Sequence, residues 1–228
     1  MSRAIVIFAR VPECEAASKR LPIERAARLF RSVIAAWLRT AERARATPVI
    51  ACPAEARPRM ATIAADVPRV YVDQRGNTFG QRLANASEEV FALGFQSVVI
   101  TGIDVAPLDD LDSAFRSLEA GRCVIAPARD GGVNLIGLRS PARQLLSTFA
   151  VRDSRIADRC RRFFDEVEEL APSSDIDSLE HLRAAQHETA WREFYELLRE
   201  PPACFFSRAL PIPRVAVASQ ITRAPPIA

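Results

Sequence analysis

Three short stretches of the chain carry charged or turn-forming residues directly after a run of apolar ones. Arg10-Val11-Pro12, with Ser18-Lys19-Arg20 behind it, follows Ala4-Ile5-Val6-Ile7-Phe8-Ala9. Gly102-Ile103-Asp104 follows Ser97–Thr101, and Arg129-Asp130-Gly131-Gly132 follows Arg122–Pro127. A carboxylate such as Asp104 at the carboxyl end of a strand can hold Mg2+ or Mn2+ against a nucleotide diphosphate and neutralise departing charge. An aspartate there can equally cap the next helix or bond the loop backbone. Asp130-Gly131-Gly132 between two strands is a hairpin signal in its own right. His181 and His187 stand in a late helical region without a Ser or Cys nucleophile motif, so they read as surface or packing residues and no hydrolase triad is expected.

The elements that must position these residues alternate in type. Short apolar runs give way to longer amphipathic stretches, the pattern of βαβ units and a mainly parallel sheet. Strands are expected at Ala4–Ala9, Pro48–Cys52, Arg69–Val72, Ser97–Thr101, Arg122–Pro127, Val133–Leu138 and Glu166–Leu170, giving a sheet of six or seven strands. Leu29, Phe30, Val33, Ile34, Trp37 and Leu38 recur at three- and four-residue spacing, so Ile23–Ala44 is read as a core-facing helix. Further helices are expected near Ala54–Ala65, Gln81–Leu93, Asp110–Ala120, Asp153–Phe164 and Ser178–Leu198, the last as one or two helices. In the last of these Leu179, Leu182, Trp191, Phe194 and Leu198 share one side. Residues 10–22 and Asp73–Gly80 read as loops. In an open parallel sheet ligands bind beyond the carboxyl ends of the strands, which is where the charged stretches fall.

Composition narrows the class. With 228 residues, 49% hydrophobic and 26% charged, the chain fits one large α/β domain. That domain is expected over 1–200, followed by a Pro-rich tail over 201–228 in which Pro201, Pro202, Pro211, Pro213, Pro225 and Pro226 interrupt any helix. Phe205, Phe206 and Leu210 of that tail could pack on the body or form an arm across a homodimer. The net charge is only +3, and the basic residues are interleaved with acids along the chain, which argues against a nucleic-acid partner. Lys19 is the only lysine; every other basic side chain, the histidines aside, is arginine. Five widely spaced cysteines show no metal-ligand pairing and read as reduced thiols, and the first apolar run is too short for a signal segment. A cytoplasmic protein without membrane contact is expected.

Five stretches taken together carry a resemblance. They are Ile5–Pro12 with Lys19-Arg20-Leu21, Phe79-Gly80-Gln81-Arg82-Leu83, Gly102-Ile103-Asp104, Asp130–Leu138, and Asp175-Ile176-Asp177-Ser178-Leu179-Glu180-His181-Leu182, spanning residues 3–183. Each is short, but their order and spacing resemble the GT-A-type nucleotide-diphospho-sugar transferase superfamily. Within it they are closest in character to a bacterial glycosyltransferase group related to cofactor nucleotidyltransferases such as those acting on molybdopterin and phospholactate. The resemblance implies a Rossmann-like α/β fold, a nucleotide or nucleotide sugar as donor, a small-molecule acceptor and a divalent cation. It gives Asp104 the metal-ligand role and assigns phosphate contacts to Arg10, Lys19, Arg20 and Arg82. Asp130, Gly131, Gly132 and Asn134 become the acceptor loop, where glycines let the backbone approach a ligand and the carboxylate can bind or deprotonate a hydroxyl. Asp175 and Asp177 match a late acidic motif that approaches the metal or caps the helix starting near Ser178.

The chain departs from the pattern in its first loop. Relatives carry a glycine and then Lys-Thr-Arg-Leu; here Glu15 stands at the glycine, Ser18 at the lysine and Lys19 at the threonine, and no glycine precedes Gly76. Glu13 and Glu15 are expected to repel a diphosphate unless Arg10, Arg20 or a metal intervenes. Val105-Ala106 replaces the usual Cys-Pro after Asp104, and Val133-Asn134 replaces an aromatic pair. Three readings follow. The first is a metal-dependent glycosyltransferase. The second is a nucleotidyltransferase taking a nucleoside triphosphate and a phosphorylated acceptor, and the third a descendant that keeps the fold as a binding or scaffolding protein.

Overall fold

Seven strands form one sheet in the computed structural model, which describes residues 2–108, 111–172 and 174–199. They are β1 Arg3–Phe8, β2 Thr47–Cys52, β3 Val70–Asp73, β4 Ser97–Gly102, β5 Cys123–Pro127, β6 Val133–Leu138 and β7 Val167–Glu169, arranged β3-β2-β1-β4-β6-β5-β7. β6 pairs antiparallel with β4 and β5, and the remaining pairings are parallel, so the other six strands point one way. The expected mostly parallel α/β sheet is therefore found. The α-helices among the described residues are α1 Pro12–Ser18, α2 Ile23–Arg43, α3 Arg57–Ala61, α4 Phe79–Ala92, α5 Leu111–Glu119, α6 Arg143–Leu146, α7 Ile156–Phe163, α8 Leu179–Ala184 and α9 Thr189–Arg199.

Continuous apolar runs suit strands covered on both faces, because successive side chains point to opposite sides of the sheet. Ile5, Ile7, Ile50, Val99, Val124 and Leu135 face one core, filled by Phe30, Trp37 and Leu38 of α2, Met60 of α3, Phe115 of α5, Leu182 of α8 and Trp191 and Phe194 of α9. Ala4, Val6, Val49, Val98, Ile100, Ile125 and Ile136 face the other, filled from α4, α6 and α7 by Leu83, Val90, Leu145, Leu146, Ile156 and Cys160. Residues Met1–Leu198 make one compact unit.

Several expectations need correction. The stretch read as a polar loop before residue 22 contains α1, started by Pro12 at a first-turn position and carrying Glu13 and Glu15 in its first turn, both favourable at a helix start. α4 begins two residues before the expected Gln81, because Thr78 and Gln81 form a capping box: the Thr78 hydroxyl accepts from the Gln81 amide, and the Gln81 side chain accepts from the Thr78 amide. The helix expected at Ala54–Ala65 shrinks to a 3-10 turn and the five residues of α3. The last helical stretch forms two helices, α8 and α9, parted at Ala185–His187, which is one of the two arrangements expected, and Leu179, placed with the apolar side in the sequence, is exposed. The side chain of Leu198, Asp110, Cys204 and the whole stretch 201–228 lie outside the described residues. Cys14, Cys52, Cys123 and Cys160 are free thiols. Among the described residues no helix is long and apolar enough to cross a membrane.

Candidate functional site: an acidic cluster holding a lysine

A cleft of ≈ 640 Å3 opens at the carboxyl ends of β1 and β4, a volume suited to a small molecule. Arg10, Lys19, Arg20, Arg82, Asp104, Asp130, Gly132, Asn134, Asp175 and Asp177 all line it, so nearly every residue singled out in the sequence is brought together there. Gly131 is not among the lining residues. It serves the loop instead: its φ is +90, and a β-carbon on it would stand 2.2 Å from the Ser154 carbonyl oxygen. The β5–β6 connection is a tight hairpin, as Asp-Gly-Gly suggests, in which the Gly132 amide donates to Asp130 Oδ1 at 2.9 Å.

At the centre of the cleft Asp104, Asp175 and Asp177 offer carboxylate oxygens that all lie within 4.8 Å of one another. Backbone pairing makes this possible. Val105 and Asp175 form an antiparallel bridge, and the Ile176 amide donates to the Asp104 carbonyl at 3.0 Å. In that extended segment Asp175 and Asp177 fall on one side, while Ile176 between them is fully buried in the core. The loop carrying Asp104 is tied to α2 by the Trp37 indole N–H, which donates to the Val105 carbonyl at 2.8 Å. Gly102 completes the arrangement: a β-carbon there would meet Asp104 Oδ1 at 2.2 Å, so a side chain would drive the carboxylate from its place. Ser178 caps α8 by accepting from the His181 amide, so the capping role weighed for Asp177 belongs to its neighbour.

Lys19 fills the middle of the cluster. Its ammonium donates to Asp104 Oδ2, to Asp177 Oδ1 at 2.5 Å and to the Ile176 carbonyl at 2.9 Å, and stands 3.5 Å from Glu15 Oε1. Only 9% of the side chain is exposed. Burial disfavours its charge, yet Asp104, Asp177 and Glu15 outweigh that and hold the amine well above the ordinary lysine range. Three carboxylates pair with this one ammonium and a fourth, Asp175, lies beside two of them, and two carboxylates this close repel by roughly 3 kcal/mol at an effective dielectric near 20. Asp175 shows the surplus: burial first, and then repulsion from Asp104 and Asp177, push it up to about 6. Glu15 is also raised, chiefly by burial. Asp177 is lowered, because its bond to Lys19 overcomes its own burial.

The two glutamates expected to repel a diphosphate behave differently. Glu15 lines the cleft and pairs with Lys19 and, at 3.9 Å, with Arg10. Glu13 is absent from the lining and pairs with Arg31 and Arg59, so it does not oppose a ligand. Arg20 closes α1 in a left-handed conformation, φ 54, in a Schellman turn where the Leu21 amide donates to Ala16 and the Arg20 amide to Ala17. Arg152, missed in the sequence, also lines the cleft with φ 62. Its neighbour Asp153 is clamped by Arg159, which also donates to Thr148. No sequence spacing announces Arg152, because it sits in an irregular stretch between helices.

Similarity to known proteins bears on the family and the fold. The family described as uncharacterized protein conserved in bacteria (DUF2064) matches residues 36–151. No curated protein matches. Among solved structures, a candidate nucleotide-diphospho-sugar transferase from Desulfovibrio desulfuricans G20 is 25% identical with a TM-score of 0.71, over 89% of this chain and 96% of that one. A candidate glucose-1-phosphate thymidylyltransferase from Bacillus anthracis, solved with sucrose, is 14% identical at a TM-score of 0.52, over 88% and 96% of the two chains. A UDP-glucose pyrophosphorylase, solved with UDP-glucose, is 12% identical at 0.51, over 86% and 100%. The fold is that of nucleotide-sugar transferases and nucleotidyltransferases, and the chain belongs to the bacterial family DUF2064.

Proposed function

We propose that the protein is a glycosyltransferase that moves a sugar from a nucleoside diphosphate to the hydroxyl of a small acceptor. The observation that carries this reading is the Asp104, Asp175 and Asp177 cluster at the strand ends, in a cleft also lined by arginines. The donor set fits a hard divalent cation, Mg2+ or Mn2+, because three close carboxylates supply oxygen ligands and carry more negative charge than Lys19 offsets. When bound, that cation supplies positive charge beside the diphosphate as negative charge builds on it. Arg10, Arg20 and Arg82 meet phosphate oxygens. Asp130, with Oδ1 held by the Gly132 amide, orients the acceptor hydroxyl through Oδ2, while Asn134 and Arg152 shape the acceptor end. In the reaction the acceptor oxygen bonds to the anomeric carbon, and the bond from that carbon to the diphosphate oxygen breaks. Its electron pair leaves on the nucleoside diphosphate, and the hydroxyl proton passes to Asp130.

The test is incubation of the purified protein with a panel of nucleotide sugars and Mn2+, following release of nucleoside diphosphate. Release by the wild type and its loss in Asp104→Asn and Asp130→Asn support the reading. Release of pyrophosphate from a nucleoside triphosphate would replace it with nucleotidyl transfer, and no nucleotide binding at all would favour a scaffolding protein.

A further inference from the structure

The seat of Lys19 creates a conflict within the cleft. Its ammonium takes up Asp104 Oδ2 and Asp177 Oδ1, two of the three carboxylates that lie close enough to share a cation. A divalent cation and the ammonium cannot both occupy that place, since two positive centres would then compete for the same oxygens at contact distance. Yet the cluster still carries surplus negative charge, and Lys19 is attached through a flexible four-carbon stem ending in a point charge that reorients readily. Lys19 also sits at the end of α1, beside the left-handed Arg20 that lines the same cleft.

We propose that Lys19 is an exchangeable internal counter-cation: it holds the carboxylates together in the free protein and withdraws when a divalent cation enters. The proposal rests on the cluster being a cation site, as in the function argued above. It gives the lysine shifted into the threonine position a purpose, because a protein with its own cation in place keeps the acidic cluster assembled until the metal arrives. It also sets a lower affinity for the metal than the carboxylates alone would give, since binding must displace a bound group.

The sequence offers a clean probe, because Lys19 is the only lysine in the chain. Acetic anhydride labelling followed by peptide mass spectrometry reads its accessibility directly, with the N-terminal amine as internal reference. Without divalent cations Lys19 should label slowly, and saturating Mg2+ should raise its rate at least about tenfold while the reference stays constant. In parallel, Mn2+ binding is measured by electron paramagnetic resonance on the wild type, on Lys19→Met and on Asp104→Asn. Lys19→Met should bind Mn2+ at least about tenfold more tightly than the wild type, and Asp104→Asn more weakly. If Mn2+ binds with loss in Asp104→Asn but Lys19 labelling does not rise, the exchange is wrong and the cation site stands. If neither the wild type nor folded Lys19→Met binds Mn2+ at millimolar concentration, both fail. Should Lys19→Met not fold, the labelling of the wild type decides alone.

Discussion

At the scale of single residues the cleft keeps side chains in places that stability alone would not choose. Arg20 adopts the left-handed backbone at the end of α1, where an ordinary residue costs about 1 kcal/mol relative to glycine. Arg45 ends α2 in the same way and does not line the cleft, so the strained turn by itself proves nothing about function. What singles out Arg20 is its place in the lining of the cleft, where phosphate contact is proposed. Arg20→Gly should therefore raise stability by up to about 1 kcal/mol in a urea melt while weakening nucleotide binding; a variant that binds as well as the wild type would remove Arg20 from the site. Asp104 was legible in the sequence because it follows an apolar strand. Lys19 was legible as an oddity of composition, but its partners were not. Its bonds to Asp104 and Asp177 span 85 and 158 positions of sequence, and no local pattern can encode such a meeting.

Elements explain how the residues meet and where sequence reading stops. The strands were legible because runs such as Val98-Val99-Ile100 are buried on both faces, and α2 because its apolar stripe is long. The short helices were not. α1 has seven residues and α6 four, too few for periodicity to speak, although Pro12 followed by two glutamates was a start signal. The capping box Thr78-x-x-Gln81 was likewise readable and fixes the start of α4. Close approach then joins elements. Gly80 of α4 lies against the carbonyls of Leu146, Ser147 and Phe149, and Gly131 of the β5–β6 hairpin against Ser154, so both of these close approaches depend on missing β-carbons. Gly131→Ala combines a left-handed backbone with a backbone collision, and it should lower stability by about 2 kcal/mol or more in a denaturant melt. A loss below a few tenths would show that the hairpin packs loosely on that loop. Gly132→Ala, whose nearest neighbours beyond Asp130 lie at 3.6 Å, should be milder.

At the scale of the molecule, the described residues of the two cores all precede 199, and Met1–Leu198 make one compact unit. A chain ending at Glu200 is therefore expected to melt cooperatively within a few degrees of the full protein, as followed by circular dichroism; a larger drop would give Phe205, Phe206 or Leu210 a packing role. The fold was legible as an ordered set of five motifs, each weak alone, because the strand ends of an α/β sheet converge on one edge whatever the loops contain. The altered first loop was the part that misled. Read as a line of charges, Glu13 and Glu15 opposed a diphosphate; folded as α1, the first turns to Arg31 and Arg59 and the second to Lys19 and Arg10. The central claim is that this cleft binds a nucleoside diphosphate through a cation held by Asp104. Titration calorimetry of nucleoside diphosphates into the wild type and Asp104→Asn, with and without Mn2+, tests it most directly. Binding by the wild type that strengthens with Mn2+, and at least about a tenfold loss of that enhancement in the folded Asp104→Asn protein, is the predicted result. Equal affinities in the two proteins at every Mn2+ concentration would contradict it.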